Sequence, residues 1–464
     1  MSSDRRISPV CLTAVDAPNA VSRELLRACA HFCVIPSHRH GHEPIAPNID
    51  PTILDRVRAP GIVQIVGPSG AGKSTLIRAL IRALPKQRLR IVHESLSERQ
   101  RHTASFDLLS GDAAERAAIL THAGLGEPRL WALPAGWLSV GEQARLRLAM
   151  AMQDTRAGDV VIADEFASHV DRACAYALCR TTTRWAKRLG VTLIAASAHE
   201  DLESMLAPDT VIDAGTARVR PPRAPMPQTI TIEAGTIDDY QQLAHLHYRS
   251  GKPAAVVRIL RAMRKVPANI DPSNRLLAGV LLVSMPTLNG VWRQRAWPGH
   301  FGTRDKSINA HRLNAQVRTI SRVIVEPRSR GLGIATRLVH AYLDAPLTPG
   351  TEALAAMGSV CPFLERAGMT PYEMVPDRPD TRLLDALIYL SIAPETLMHA
   401  RVEPGSMLMR ELVTWGKARK LLRAGQPSLE EIQRLTPIAA CRLCTRPRAY
   451  AFTKGDWGDE PQNT

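Results

Sequence analysis

The stretch Ile62-Val63-Gln64-Ile65-Val66-Gly67-Pro68-Ser69-Gly70-Ala71-Gly72-Lys73-Ser74-Thr75 decides the reading of the first half of the chain. Ile62 to Val66 have the composition of a buried strand, and they run through a glycine-rich turn into a helical pattern. Gly67, Gly72, Lys73 and Ser74 fit the phosphate-loop spacing G-x-x-x-x-G-K-[ST]. The chemistry explains that spacing. Glycines let the backbone wrap a phosphate without Cβ clashes, so N–H groups from Ser69 to Ser74 can point inward. Lys73 supplies a charge for the β and γ phosphates, Ser74 a hydroxyl for Mg²⁺, and the helix N-terminus a favourable dipole. ATP with Mg²⁺ is the expected ligand, and residues 67–75 are expected to hold it.

Strands and helices alternate from 61 to about 215, with strands expected at 62–66, 90–93, 159–163 and 191–196. This layout predicts an α/β fold with a parallel sheet. Three further stretches surround the loop. Leu138-Ser139-Val140-Gly141-Glu142-Gln143 precedes a helical run, ARLRLAMAM. The apolar strand VVIADEF, 160–166, ends in Asp164-Glu165. A carboxylate there can hold Mg²⁺ and the next can orient or deprotonate the attacking water. LIAASAHED, 193–201, ends near His199, which can contact the γ phosphate.

In this order the four motifs resemble the nucleotide-binding domain of ABC-type ATPases, over residues 55–215. The resemblance implies that Lys73 and Ser74 bind nucleotide and metal. It implies that Ser139, Gly141 and Gln143 contact ATP held by the opposite subunit of a head-to-tail homodimer. Asp164 then organises Mg²⁺, Glu165 is catalytic, Asp171 resembles the D-loop acid and His199 the switch histidine. Val140 stands where the usual signature has glycine. Gln100 is the one weak candidate for the family's Q-loop glutamine. Features of a membrane-facing subdomain are missing, which argues against a transporter subunit.

The second half is organised around SRVIVEPRSRGLGIATRLVHAYL, 321–343. A strand, Val323 to Glu326, leads into Arg328-x-x-Gly331-x-Gly333 and a helix with apolar residues at Ile334, Leu338, Val339 and Tyr342. Glycines at such a turn expose amides to a phosphate, or merely cap a helix. The pattern resembles motif A of the GNAT acyltransferases, where the loop grips the pyrophosphate of acetyl-CoA. Cys361-Pro-Phe-Leu-Glu-Arg-Ala-Gly-Met369 is similar to a later motif of that family, and the resemblance spans 230–376. It implies that Val325, Arg328, Arg330, Gly331, Leu332 and Gly333 bind acetyl-CoA or a related acyl-CoA. The family's acidic tyrosine is replaced by Leu364. Tyr372, Cys361 or Tyr248 are candidate acids, and Glu326, His245 and His247 candidate bases.

Between a β-hairpin expected at 276–286 and motif A lies an insert, 287–318. Trp292, Trp297 and Phe301 are interleaved there with arginines. Such a segment can hold phosphates and stack on unpaired bases, or dock its aromatics in a local core. Residues 1–54 read as an N-terminal extension, 216–229 (TARVRPPRAPMPQT) as a Pro/Arg-rich linker, and 377–464 as a helical, basic C-terminal region. Cys29, His31, Cys33, His38, His40 and His42, with Cys441-x-x-Cys444, could bind zinc, although incidental placement fits as well.

The chain has 464 residues, enough for two or three domains. It carries a net charge of +15, with fifty arginines against nine lysines. Arginine pairs bidentately with phosphate, so the charge fits a polyanionic partner, DNA or RNA, or a GC-rich genome, or both. No apolar run approaches the roughly 18 residues that span a bilayer. No signal-peptide core opens the chain, so a cytoplasmic protein without a membrane partner is expected. Eight cysteines in a chain this long do not form a disulfide framework. The functional expectation is an ATP-dependent acyltransferase acting on an amino group of a nucleic-acid base. The alternatives are a protein or small-amine acetyltransferase with a regulatory ATPase, and an ATPase with a non-catalytic GNAT-like binding module.

Overall fold

The computed structural model describes residues 51–457, apart from 226–228, 248–252, 254, 267–272, 359–360, 423–424, 445–446 and 456, together with 15–16, 23 and 36–37. The Cys/His tract at 29–42 and Tyr248 lie outside the described residues. Among those described, no helix is long and apolar enough to cross a membrane.

The first half follows the expected alternation. Its elements are α1 (Pro51–Arg58), β1 (Gly61–Val66), α2 (Lys73–Ala83), β2 (Leu89–Ile91), α3 (Glu98–His102), α4 (Ala113–His122), α5 (Val140–Gln153), β3 (Val160–Ala163), α6 (Arg172–Leu189), β4 (Thr192–Ser197), β5 (Thr210–Asp213) and β6 (Arg218–Arg220). The sheet order is β2-β3-β4-β1-β5-β6, parallel except for β6. Every residue of β3 and β4 is buried, because helices cover both faces. Part of the segment read as a linker, 218–220, is thus a strand paired with β5.

The second half begins with β7 (Ile230–Ala234), α7 (Ile237–Ala244), β8 (Val256–Lys265) and β9 (Arg275–Ser284). The hairpin expected at 276–286 is a single strand, β9, whose antiparallel partners are β8 and the later strand Val317–Val325. Then follow α8 (Lys306–Gln316), β10 (Val317–Val325), α9 (Ile334–Asp344), β11 (Gly350–Ala355), α10 (Phe363–Arg366) and β12 (Thr370–Glu373). Four helices come next: α11 (Arg378–Tyr389), α12 (Met407–Ala418), α13 (Leu429–Gln433) and α14 (Leu435–Cys444). The last strand, β13 (Arg448–Thr453), enters the sheet between β11 and β12, giving the order β12-β13-β11-β10-β9-β8-β7. The described residues of 377–457 are therefore not a helical tail. They are an excursion, with its own core of Leu383, Leu387, Leu412, Trp415 and Ile432, followed by a strand the sheet needs.

Only β10 and β11 run parallel among the paired strands of this sheet. Their pairing covers Val317–Ile320 against Gly350–Ala353 and then stops, although β10 continues to Val325 and β11 to Ala355. On its other edge β10 is bulged at Ser321, because Leu282 pairs with Arg322 and Val283 with Ile320.

The insert 287–318 docks its aromatics in a local core, the second of its two readings. Trp292 and Trp297 are buried with Val317, Ala449 and Ala451, and Phe301, Tyr372 and Trp457 pack against them. Arg293 pins the insert to the sheet, donating to Glu352 at 2.6 and 2.8 Å with both side chains buried. Thr319 Oγ1 donates to the same carboxylate at 2.7 Å. Apolar rings beside two strands gain more from burial than from standing in water, so they present no stacking platform.

One continuous apolar core joins the halves, including Leu120, Leu125 and Leu178 from the first and Leu260, Leu332 and Leu338 from the second. We expect Arg293→Ala to cost about 3–5 kcal/mol, because it strands the buried Glu352 carboxylate. A lowered urea midpoint measures this, and an unchanged midpoint contradicts the anchoring role.

Candidate functional site

The phosphate loop forms because β1 ends at the carboxyl edge of the sheet and α2 starts seven residues later, at Lys73. Gly70 and Gly72 take left-handed φ values of 81° and 92°, and nothing lies within 4 Å of where a Cβ would stand. The turn is therefore an open cradle at a helix N-terminus, which suits a phosphate. Lys73 is buried and its Nζ donates to the carbonyls of Gly67 and Pro68, both at 2.9 Å. Ser74 Oγ donates to Asp164 Oδ2 at 2.6 Å, uniting the two expected Mg²⁺ residues across ninety positions of sequence. Hydroxyl and carboxylate oxygens are the donor set a hard cation takes.

Asp164 follows β3, and its Oδ1 accepts the Glu165 N–H at 2.9 Å. Glu165 itself has φ 51°, a left-handed value unusual for this residue type, and Ala167 has 58°. Ser168 Oγ donates to Glu165 Oε2 at 2.8 Å, and Phe166 N–H donates to Ala196 O on β4. The strained loop is thus held from both ends, as functional backbone often is. His199 lies just past β4, with its N–H on Ser197 Oγ at 3.2 Å.

The signature region is shaped by capping and close approach. Ser139 caps α5 in a reciprocal box with Glu142. Gly141 is required there, because a Cβ would stand 2.4 Å from the His169 carbonyl. Gln143 Nε2 donates to Leu138 O at 2.8 Å, so it braces the turn. Asp171 caps α6, accepting from Ala173 and Cys174 N–H at 2.9 and 3.0 Å. Burial raises its pKa, but those hydrogen bonds and the charge of Arg328 outweigh it and hold the carboxyl below its ordinary range. Arg328 belongs to the second half, so the loop that carries Glu165 ends in electrostatic contact with motif A.

Gln100 does not line the cavity beside Ser74 and Asp164. It is the third residue of α3 and closes a capping box with Ser97. The residues at that place are His93 and Glu94, just beyond β2, which line a cavity of about 230 Å³ with Ser74, Asp164, Glu165 and Arg147. Their signal in the sequence is position at a strand end, not residue type.

The turn expected to grip acyl-CoA is closed. Gly331 has φ 77°, and a Cβ there would meet Thr181 Cγ2 of α6 at 2.3 Å. Arg184 of α6 donates to Gly331 O at 3.0 Å, and Arg330 donates to Gly126 O at 3.0 Å and to Val325 O at 3.3 Å. Ser329 and Leu332 are buried, and only Gly333 stays open. In this arrangement Arg328, Arg330 and Gly331 do not fit a bound pyrophosphate. The candidate acid–base residues are not brought together either. Glu326 is buried and accepts from Arg328 Nε at 2.6 Å, Tyr372 packs 6.2 Å from the Trp292 ring, and Cys361 is exposed ahead of α10. His245 ends α7. Cys441 and Cys444 lie on α14, and no metal-ligand cluster occurs among the described residues.

We expect Lys73→Ala to abolish nucleotide binding and Glu165→Gln to keep binding while lowering kcat by about 10²–10⁴. Gly141→Ala should depress hydrolysis by pushing the His169 backbone away. Phosphate release and fluorescent-nucleotide binding separate the three outcomes, and full activity in Glu165→Gln contradicts the assignment.

Residues 56–168 match the family described as ABC transporter. No curated protein matches the chain. Similar solved structures include the ADP conformation of MJ1267, an ATP-binding cassette of an ABC transporter (14% identity, 36% of this chain and 82% of that one, TM-score 0.30). Others are cbiO1 from Clostridium perfringens, part of the ABC transporter complex cbiONQ (20%, 35% and 77%, TM-score 0.27), and the dimeric post-hydrolysis state of the cassette MJ0796 with ADP and Pi (16%, 37% and 88%, TM-score 0.30). Residues 56–168 of this chain are an ABC-type ATPase domain.

Proposed function

We propose that the chain is an ATP-driven acyltransferase, in which the ABC-type ATPase acts on a GNAT-like second half. The single observation that carries the second part is the wedge between β10 and β11. Seven strands in the order β12-β13-β11-β10-β9-β8-β7, with one parallel pair that parts after Ile320 and Ala353, agree with the resemblance of motif A. The bulge at Ser321, on the β9 edge of β10, adds support, because it interrupts the ladder of that strand beside the wedge. When bound, acyl-CoA supplies an activated thioester. The chain supplies the wedge and the start of α9, where Gly333 has φ 80° and stands open.

Two copies are proposed to pair through their ATPase halves. Trp137 and Val140 flank Ser139 and are 77% and 63% exposed. Apolar side chains so placed favour a protein interface around the signature. The acceptor is proposed to be an amino group on a nucleic-acid base. This rests on the net charge of +15, since the insert's aromatics are spent in its core.

A second reading, a GNAT-like module that only binds, draws on Leu364. That residue is buried in the core where the resembled family has an acidic tyrosine. Calorimetry distinguishes the readings. Glu165→Gln loaded with ATP and Mg²⁺ is expected to bind acetyl-CoA, and Gly333→Glu, at the open start of α9, to abolish that binding. No heat in any nucleotide state favours the binding-only module. Nucleoside mass spectrometry of DNA and tRNA from cells with wild type or Gly333→Glu tests the acceptor. An acyl-sized increment only with wild type is expected, and its absence from both pools favours a protein or small amine.

A further inference from the structure

We propose that α6 is a two-position lever that couples the ATP-site loop, 164–171, to the motif A turn, 326–333, with Arg264 as its latch. The inference rests on the ATPase reading and is independent of the chemistry performed by the second sheet.

The lever begins in the ATP site. Glu165 and Ala167 hold left-handed conformations that non-glycine residues leave when released, and the loop they strain ends at Asp171, the cap of α6. Any change in the partners of Glu165 reaches Ser168, which donates to it, and from there the helix start. α6 itself is 18 residues long, capped at both ends by Asp171 and Gly190 and buried along most of its length. Such a helix moves as a body rather than bending.

Its far side is the floor of the motif A turn. Arg264 on β8 is 2% exposed and donates to Ala173 O in the first turn of α6 at 3.3 Å and to Arg328 O at 3.0 Å. Its guanidinium also lies 5.4 Å from the centre of the Tyr176 ring. One buried cation thus ties the lever to the turn. Thr181 and Arg184 complete the closure over Gly331.

The closed seam is incompletely satisfied. The Tyr176 hydroxyl, Glu326 Oε2 and Ser329 Oγ are buried without a hydrogen-bond partner. Each such group costs free energy while it stays dry and unpaired. The closed position is therefore held by packing and Arg264 against a polar cost that opening relieves. That balance is what a bistable contact requires, and ATP binding at the other end of α6 can bias it.

Hydrogen-exchange mass spectrometry on the full chain tests the lever. The samples are wild type without nucleotide, wild type with ADP, Glu165→Gln with ATP and Mg²⁺, and Arg264→Met without nucleotide and with ATP and Mg²⁺. ATP is expected to protect residues 62–75 and to speed exchange at 329–334 by about tenfold. Arg264→Met is expected to show the faster exchange at 329–334 without nucleotide, with little further change on ATP. If Arg264→Met does not fold, Arg184→Ala, at the exposed end of the closure, should shift 329–334 in the same direction by a smaller factor. Protection of 62–75 with unchanged exchange at 329–334 overturns the lever and leaves the ATPase reading intact. No protection of 62–75 overturns the ATPase reading and the lever together.

Discussion

A helix that must pack against two sheets at once constrains everything around it. α6 lies against its own parallel sheet through residues such as Leu178 and Ala186, and against the second half through Tyr176 and Thr181. The close approach at Thr181 demands a residue without Cβ opposite, and Gly331 supplies it together with the left-handed φ that the turn needs. A guanidinium as deeply buried as that of Arg264 is sustainable only because it meets carbonyl oxygens from both sides. The apolar core then runs without a break across the boundary, so the two halves share one interior instead of meeting at a polar surface.

The candidate ATP site shows a second constraint, local where the first is global. Its carboxylates sit on backbone that would relax if cut free, and neighbours on β4 and within the loop hold it. Position matters more there than residue identity. The phosphate loop was legible because cradle, lysine and hydroxyl must all come from consecutive residues. The place of Asp164-Glu165 just past β3, beside Ser74, was legible because an apolar run that turns into paired carboxylates marks a strand end. Gln100 misled for the opposite reason. It has the side chain sought, but two hydrogen bonds commit it to starting α3. His93 and Glu94 lack that side chain, yet the strand β2 delivers them to the cavity beside Ser74.

The second half was legible in its motif and hidden in its surroundings. The strand, turn and helix at 321–343 follow from local pattern, and they form as expected. That α6 covers the turn depends on residues far away in the chain, so no local pattern reports it. The insert's arginines and tryptophans read equally well as a surface or as a docked segment. The tie between Arg293 and Glu352 decides, and it spans 59 positions. β13 was missed because its pairing partners precede a long helical excursion, and RAYAFT carries no mark of which sheet it completes.

That late strand orders the events of synthesis. β13 lies between β11 and β12, so until it arrives β12 has no partner and β11 exposes an edge. Both wait while residues 374–447 are made and the helices of the excursion find their own core. A chain emerging from the ribosome therefore completes its ATPase sheet early and carries a split second sheet for much of its remaining translation. Closing the split requires a non-local insertion, which is slow, and the open edge is an adhesive surface meanwhile. The nascent chain's exposure of unpaired strand edges is concentrated in that interval.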